Sequence, residues 1–174
     1  MRQFMLASLA VFFTMNVFTG SGFADETKHK VHASERAKTE LRPYDSKIDA
    51  MKAVDEALAR ATLNNTKALI VMGANWCHDS RALATRFDTA EFKTLISQKY
   101  ELVYVSAGTN PGQNNENKAV SKRFGVESIE GTPTVFIATP NGDVLNADSA
   151  VYWRNAHEIP SDMTLAYLEH YALK

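Results

Sequence analysis

The stretch from Lys67 to Gly73 constrains this chain most. Lys-Ala-Leu-Ile-Val-Met-Gly carries charge only at its edge and is otherwise nearly continuous in apolar side chains. Such a run suits a central strand buried on both faces. It leads into Trp76-Cys77-His78-Asp79-Ser80, then into an amphipathic stretch with Leu83, Ala84 and Phe87 on one side. Strand, turn, cysteine, helix is an arrangement that activates a thiol and leaves its sulfur accessible.

The rest of the chain supplies partners for that strand. Ile48, Met51, Val54, Ala57, Leu58 and Ala61 follow helical spacing, with Asp45 or Ser46 as the expected cap and Asn64-Asn65 as the stop. A helix is expected over 77–87 and a second over 90–99, the latter burying Phe92, Leu95 and Ile96. Leu102 to Val105 reads as the next strand. A polar loop over 108–117 and a short helix ending at Gly125 follow. Thr134 to Ala138 reads as a strand, Pro140-Asn141-Gly142-Asp143 as a hairpin turn, and Asp143 to Leu145 as its partner. A terminal helix starts at Ser161-Asp162 and carries Leu165, Leu168 and Tyr171. A βαβ unit followed by a hairpin predicts an α/β three-layer sandwich around a mixed sheet.

The first 24 residues read as an export signal. Arg2 gives a positive start, Phe4 to Phe18 is apolar apart from Ser8, Thr14 and Asn16, and Gly22-Phe23-Ala24 offers a cleavage site. The rival reading is an uncleaved membrane anchor, for which the run is short of a span of about 20 residues; with the leader cleaved, no stable membrane insertion is expected. Residues 25–47 are charged and poor in apolar side chains, which reads as a flexible linker. The globular domain is expected over 48–174. Cleavage would take Arg2 from the 19 basic side chains and none of the 20 acidic ones, moving the formal charge from −1 to −2. That balance gives no reason to expect a nucleic acid as partner. The expected location is periplasmic or secreted, where disulfides are normal.

One cysteine cannot staple its own fold there. It is inert and buried, paired with another molecule, or reactive. At a helix N-terminus, unpaired N–H groups and the helix dipole stabilise a thiolate. A protonated His78 would add positive charge, and the Ser80 hydroxyl lies one turn on as a donor. Asp79 works against both, because a nearby carboxylate disfavours a thiolate. Other constellations are weak. His29 and His32 lie in the linker. His157 and His170 lack metal-site spacing and read as a surface and a partly buried histidine. Met72 reads as core rather than as a metal ligand, and Trp153-Arg154 as a packed Trp beside an Arg with a buried stem. No metal site is expected.

Trp76-Cys77-His78-Asp79-Ser80 after Leu69-Ile70-Val71, together with Gly131-Thr132-Pro133-Thr134-Val135-Phe136 and Asn141-Gly142-Asp143, resembles the thioredoxin family over roughly residues 48–173. The resemblance implies a thioredoxin-like α/β/α fold. It implies that Pro133 is the family's cis-proline, that Thr132 docks an extended substrate as an added strand, and that Trp76 shields and positions the sulfur. Two departures are mutually consistent. Ser80 stands where the family's second, resolving cysteine would be. Val71 stands where the family's buried acid, which serves that cysteine, would be. An opening strand before Ile48 is not evident.

The expected activity is thiol–disulfide exchange by one thiol on protein or peptide thiols and disulfides. Cys77, Ser80 and His78 are the expected catalytic residues, and Trp76, Thr132 and Pro133 the substrate-binding ones. No bound cofactor is expected, but an external thiol such as glutathione would serve as co-substrate. A polypeptide-binding or chaperone-like module on the same fold is the alternative. A thiol peroxidase fits less well without a second cysteine. The sequence leaves the oligomeric state open.

Overall fold

The computed structural model describes residues 40–174. The expected signal over 1–24, residues 25–39 of the expected linker, and His29 and His32 lie outside the described residues.

Three strands form one mixed sheet in the order β2-β1-β3. The central strand β1 is Lys67–Gly73, β2 is Tyr100–Ser106 and β3 is Thr134–Ala138. β1 and β2 run parallel, with Leu69 opposite Leu102, while β1 and β3 run antiparallel, with Val71 opposite Val135. Side chains alternate across β1 and so divide between two cores. Leu69 and Val71 face one core with Val135 and Ile137; Ala68, Ile70 and Met72 face the other with Phe136 and Ala138. Every β1 residue from Ala68 to Met72 is fully buried, as its unbroken apolar run requires.

Helices cover both faces. Helix α1, Ala50–Asn64, and α4, Lys118–Arg123, pack on the Met72 side through Val54, Leu58 and Val120. Helix α2, His78–Phe87, α3, Ala90–Lys99, and α5, Ser161–Ala172, pack on the Val71 side through Leu83, Phe92, Ile96 and Leu168. The expected α/β/α sandwich is therefore present. Met72 is core, as expected.

Three local expectations need correction. Helix α1 is capped by Asp49, whose side chain accepts from the Lys52 N–H at 3.1 Å. Asp45 instead turns on itself, accepting from the Lys47 N–H. The hairpin turn forms with Gly142 at φ +90°, a conformation in which a side chain would be strained. Its return arm, however, makes only one bridge, Ala138 to Val144, and not a strand over 143–145. Asn146 takes over the ladder: its buried amide accepts from Ile137 N–H and donates to the Val135 carbonyl, both at 2.8 Å. Finally, residues 40–47 do not behave as a free linker. Tyr44 is buried at 3% exposure in the Val71 core, so the ordered domain begins before Ile48.

Candidate active site

Cys77 is the N-cap of α2, with extended backbone at φ −79° and ψ 124°. Its carbonyl accepts the first helical bond, from the Arg81 N–H at 3.2 Å. The thiol is partly exposed and lies 3.3 Å from the carbonyl oxygen of Thr132, to which it donates. The Thr132–Pro133 peptide is cis. Thr132 is buried, so its carbonyl meets the sulfur from within the wall of the site. β1 and β3 are neighbours in the sheet, and this adjacency brings together residues far apart in the chain.

The other expected residues divide by depth. Trp76 is half-buried, and its indole N–H donates to the Gly108 carbonyl at 3.1 Å, fixing the ring against the start of the 108–117 loop. Ser80 is fully buried one turn along α2, and its hydroxyl has no hydrogen-bond partner among the described residues. His78 points outward, with Nδ1 3.6 Å from Glu40. The structure thus gathers Trp76, Cys77, Thr132 and Pro133 at one place, with Ser80 beneath and His78 on the rim.

Sequence reasoning missed the strap formed by residues 40–44. Asn75, just before Trp76, accepts from the Tyr44 N–H at 3.2 Å and donates to the Tyr44 carbonyl at 2.9 Å. This side chain thereby pairs with backbone as a strand would. Arg81 donates to the carbonyls of Asn75 and Trp76 and pairs with Glu40 at 2.6 Å. Arg42 donates to the Asn75 carbonyl as well, at 2.8 Å. The hydrogen bond from Arg81 holds the Glu40 carboxyl below its ordinary range; the charges of Arg81, His78 and Arg42 add to this, while desolvation opposes it. No motif marks these contacts in sequence, because they join a charged segment to a turn by single side chains.

Tyr44 also fills the space under α2. Its hydroxyl donates to the Ser80 carbonyl at 3.1 Å. Burial pushes the phenol well above its ordinary range, and the neighbouring Tyr104 and Cys77 add to that. It therefore stays protonated and serves as a donor. Val71 lines the same core and is wholly buried, so no carboxyl stands there.

A second contact was also missed. His157 is exposed, as one of the two histidines was expected to be, but its Nδ1 lies 2.6 Å from Asp79 of the first turn of α2. His170 is exposed rather than partly buried. Trp153 is buried at 1%, and the Arg154 stem lies over Gly131 while its head pairs with Glu130. Among the described residues, no cluster of three or more His, Cys, Asp or Glu side chains is placed to hold a metal ion.

Cavities elsewhere on the described residues are lined without Cys77. A polar cleft of about 390 Å³ is lined by Arg42, Asn75, Ser106 and Thr109. An apolar groove of about 530 Å³ lies between α3 and β2, lined by Phe87, Ile96, Leu102 and Tyr104. The Cys77 sulfur itself is partly exposed.

Comparison with known proteins agrees with this geometry. A crystal structure of a disulphide isomerase from Xylella fastidiosa Temecula1 superposes with a TM-score of 0.66 and 26% identity, over 76% of this chain and 98% of that one. No curated protein matches the chain significantly. Fold and neighbour together support thiol–disulfide oxidoreductase-type activity. A family model described as thioredoxin-like matches residues 49–140, which hold the strand, the Cys77 turn and the Thr132–Pro133 peptide, and the chain belongs to that family.

Proposed function

We propose that this protein is an exported monothiol exchanger of disulfides in polypeptides. The observation that carries the reading is the partly exposed Cys77 thiol at the start of α2, 3.3 Å from the Thr132 carbonyl and with Ser80 one turn on. A Cys77 thiolate attacks one sulfur of a substrate disulfide. That S–S bond breaks, a Cys77–substrate bond forms, and the second substrate sulfur leaves as a thiolate that takes up a proton. Thr132 pairs with the extended substrate backbone, and Trp76 covers the sulfur.

Release differs from that of a dithiol enzyme, because the Ser80 hydroxyl cannot attack a disulfide. Two routes remain. A different thiolate of the substrate attacks the substrate sulfur held in the mixed disulfide; Cys77 leaves as its thiolate, and the substrate keeps a rearranged disulfide with no net redox change. Alternatively, two external thiols of the glutathione class act in turn. They reduce the substrate disulfide and leave as one disulfide.

Export is part of the reading. It rests on the pattern of residues 1–24, and among the described residues no helix is long and apolar enough to cross a membrane. Mature protein from exporting cells should begin at Asp25 by intact mass. Recovery of the full-length chain in the membrane fraction would contradict this.

The activity test is recovery of a scrambled, disulfide-mispaired protein with glutathione present. The wild type should accelerate recovery and Cys77→Ser should not. Equal recovery with both proteins would favour the alternative of a non-covalent binding module.

A further inference from the structure

His157 lies far from the thiol motif in sequence but touches it in space. Its backbone N–H and its ring Nδ1 both reach Asp79 Oδ1, at 3.1 and 2.6 Å. Its ring meets that of His78 edge-on, with centroids 4.8 Å apart. Asp79 occupies the first turn of α2, directly after Cys77 and His78. The segment that carries His157 also carries Arg154, whose stem lies against Gly131, the neighbour of Thr132. One side chain thus joins the helix that begins at Cys77 to the segment flanking the Thr132 carbonyl.

A titrating ring does more here than tie two segments together. A carboxylate in the first turn favours the helix but disfavours negative charge on a nearby sulfur. An imidazolium bound to that carboxylate offsets it. We propose that His157 is a positioning residue for Cys77, holding Asp79 in place and, as its imidazolium, neutralising the Asp79 charge beside the thiol. The inference rests on Cys77 being the attacking thiol.

The groups facing His157 set the direction of its titration. From α2 these are Asp79 and His78, and from its own segment Glu158, whose carboxylate lies 3.8 Å from Nε2. Glu40 faces His78 from the strap. The hydrogen bond to Asp79 holds the imidazolium above its ordinary range; desolvation opposes this, and the charges of Asp79 and Glu158 add to it. The cation is therefore present at low pH and lost as pH rises through that raised value. Asp79 is neutralised below it and bare above it.

The test is the rate of Cys77 alkylation by neutral iodoacetamide, on the full chain, from about pH 5 to pH 9. The wild type should show an inflection in the histidine range beneath the thiol's own rise. His157→Gln should remove the inflection and slow the low-pH reaction about two- to threefold, the scale of one screened surface charge pair. Asp79→Asn should move the inflection to lower pH, because the ring loses the partner that raises it, and should not slow the reaction. Adding His157→Gln to Asp79→Asn should then cost less at low pH than His157→Gln alone; an equal cost in both backgrounds would overturn the coupling through Asp79. Identical profiles for wild type and His157→Gln would overturn the proposal. So would an inflection lost in His78→Gln and kept in His157→Gln. A Cys77 that alkylates with the expected profile yet forms no mixed disulfide supports this inference and overturns the oxidoreductase reading.

Discussion

The Sγ of Cys77 donates to the carbonyl of Thr132 at 3.3 Å, across 55 residues of chain. Deprotonation of the sulfur ends that bond and leaves the carbonyl free, so the resting contact marks where a substrate backbone and a substrate sulfur would meet. The contact depends on a turn, residues 74–77, that is held by a strap from outside the sheet.

Gly73 ends β1 without a side chain because the Tyr44 ring lies there. A Cβ at this position would come within 2.5 Å of Tyr44 Cε1 and Cζ. Gly73→Ala should destabilise the fold by about 1–3 kcal/mol through overpacking, read from urea unfolding. In a Tyr44→Ala background the same change should cost much less. Equal costs in both backgrounds would mean that Tyr44 does not sit over Gly73.

Asn75→Ala removes both bonds to the Tyr44 backbone. The expected loss is about 1–2 kcal/mol, because a half-buried N–H and carbonyl lose their partner. The rate of mixed-disulfide formation with a peptide disulfide should fall more than the rate of alkylation by a small reagent, since only the peptide needs the aligned Thr132 wall. Equal falls would show that the strap does not align the site.

Much of this was legible in sequence, for a physical reason. The strand from Lys67 to Gly73 and the helices carrying Leu83, Phe92 and Val54 bury regular apolar faces, and burial of that kind is periodic in sequence. The thiol and the Thr132–Pro133 peptide lie in short motifs and were equally readable. The strap and the Asp79–His157 contact were not, because each is a single polar side chain reaching across the fold and has no period. The return arm of the hairpin failed for a related reason. Val144 and Leu145 have strand-like side chains, but the Asn146 amide, not a strand, completes the ladder beside Val135 and Ile137.

Glu40 gives the strap a pH dependence. Its carboxyl is held below the ordinary range, chiefly by the Arg81 hydrogen bond. A depressed carboxyl stabilises fully above its unfolded value, near pH 4, and loses that contribution as pH falls through the folded value. Glu40→Gln should therefore be less stable than wild type at pH 7, by under about 1 kcal/mol for so exposed a pair. The gap should close in acid. A gap that stays constant from neutral to acid pH would remove the ion pair from the account.

Ser80→Cys would place a second thiol on the first turn of α2, one turn from Cys77. Cα atoms at that separation on a helix lie roughly 5–6 Å apart, within the span of a disulfide. The Tyr44 hydroxyl binds the Ser80 carbonyl, so this contact survives the change. The variant should form an internal disulfide under mild oxidant and gain dithiol-supported insulin reduction. The gain should be partial, because buried Val71 provides no acid to help the new thiol deprotonate. A folded variant with no internal disulfide would contradict the placement of positions 77 and 80 on one helix turn.

The central claim is that Cys77 attacks substrate disulfides and that nothing within the chain resolves the product. The direct measurement is intact mass after brief reaction with a peptide disulfide, before and after addition of reduced glutathione. The account predicts one covalently held peptide on the wild type, stable until glutathione is added and then released, and none on Cys77→Ser. A wild-type protein that holds no peptide, or that sheds it at the same rate without external thiol, would contradict it.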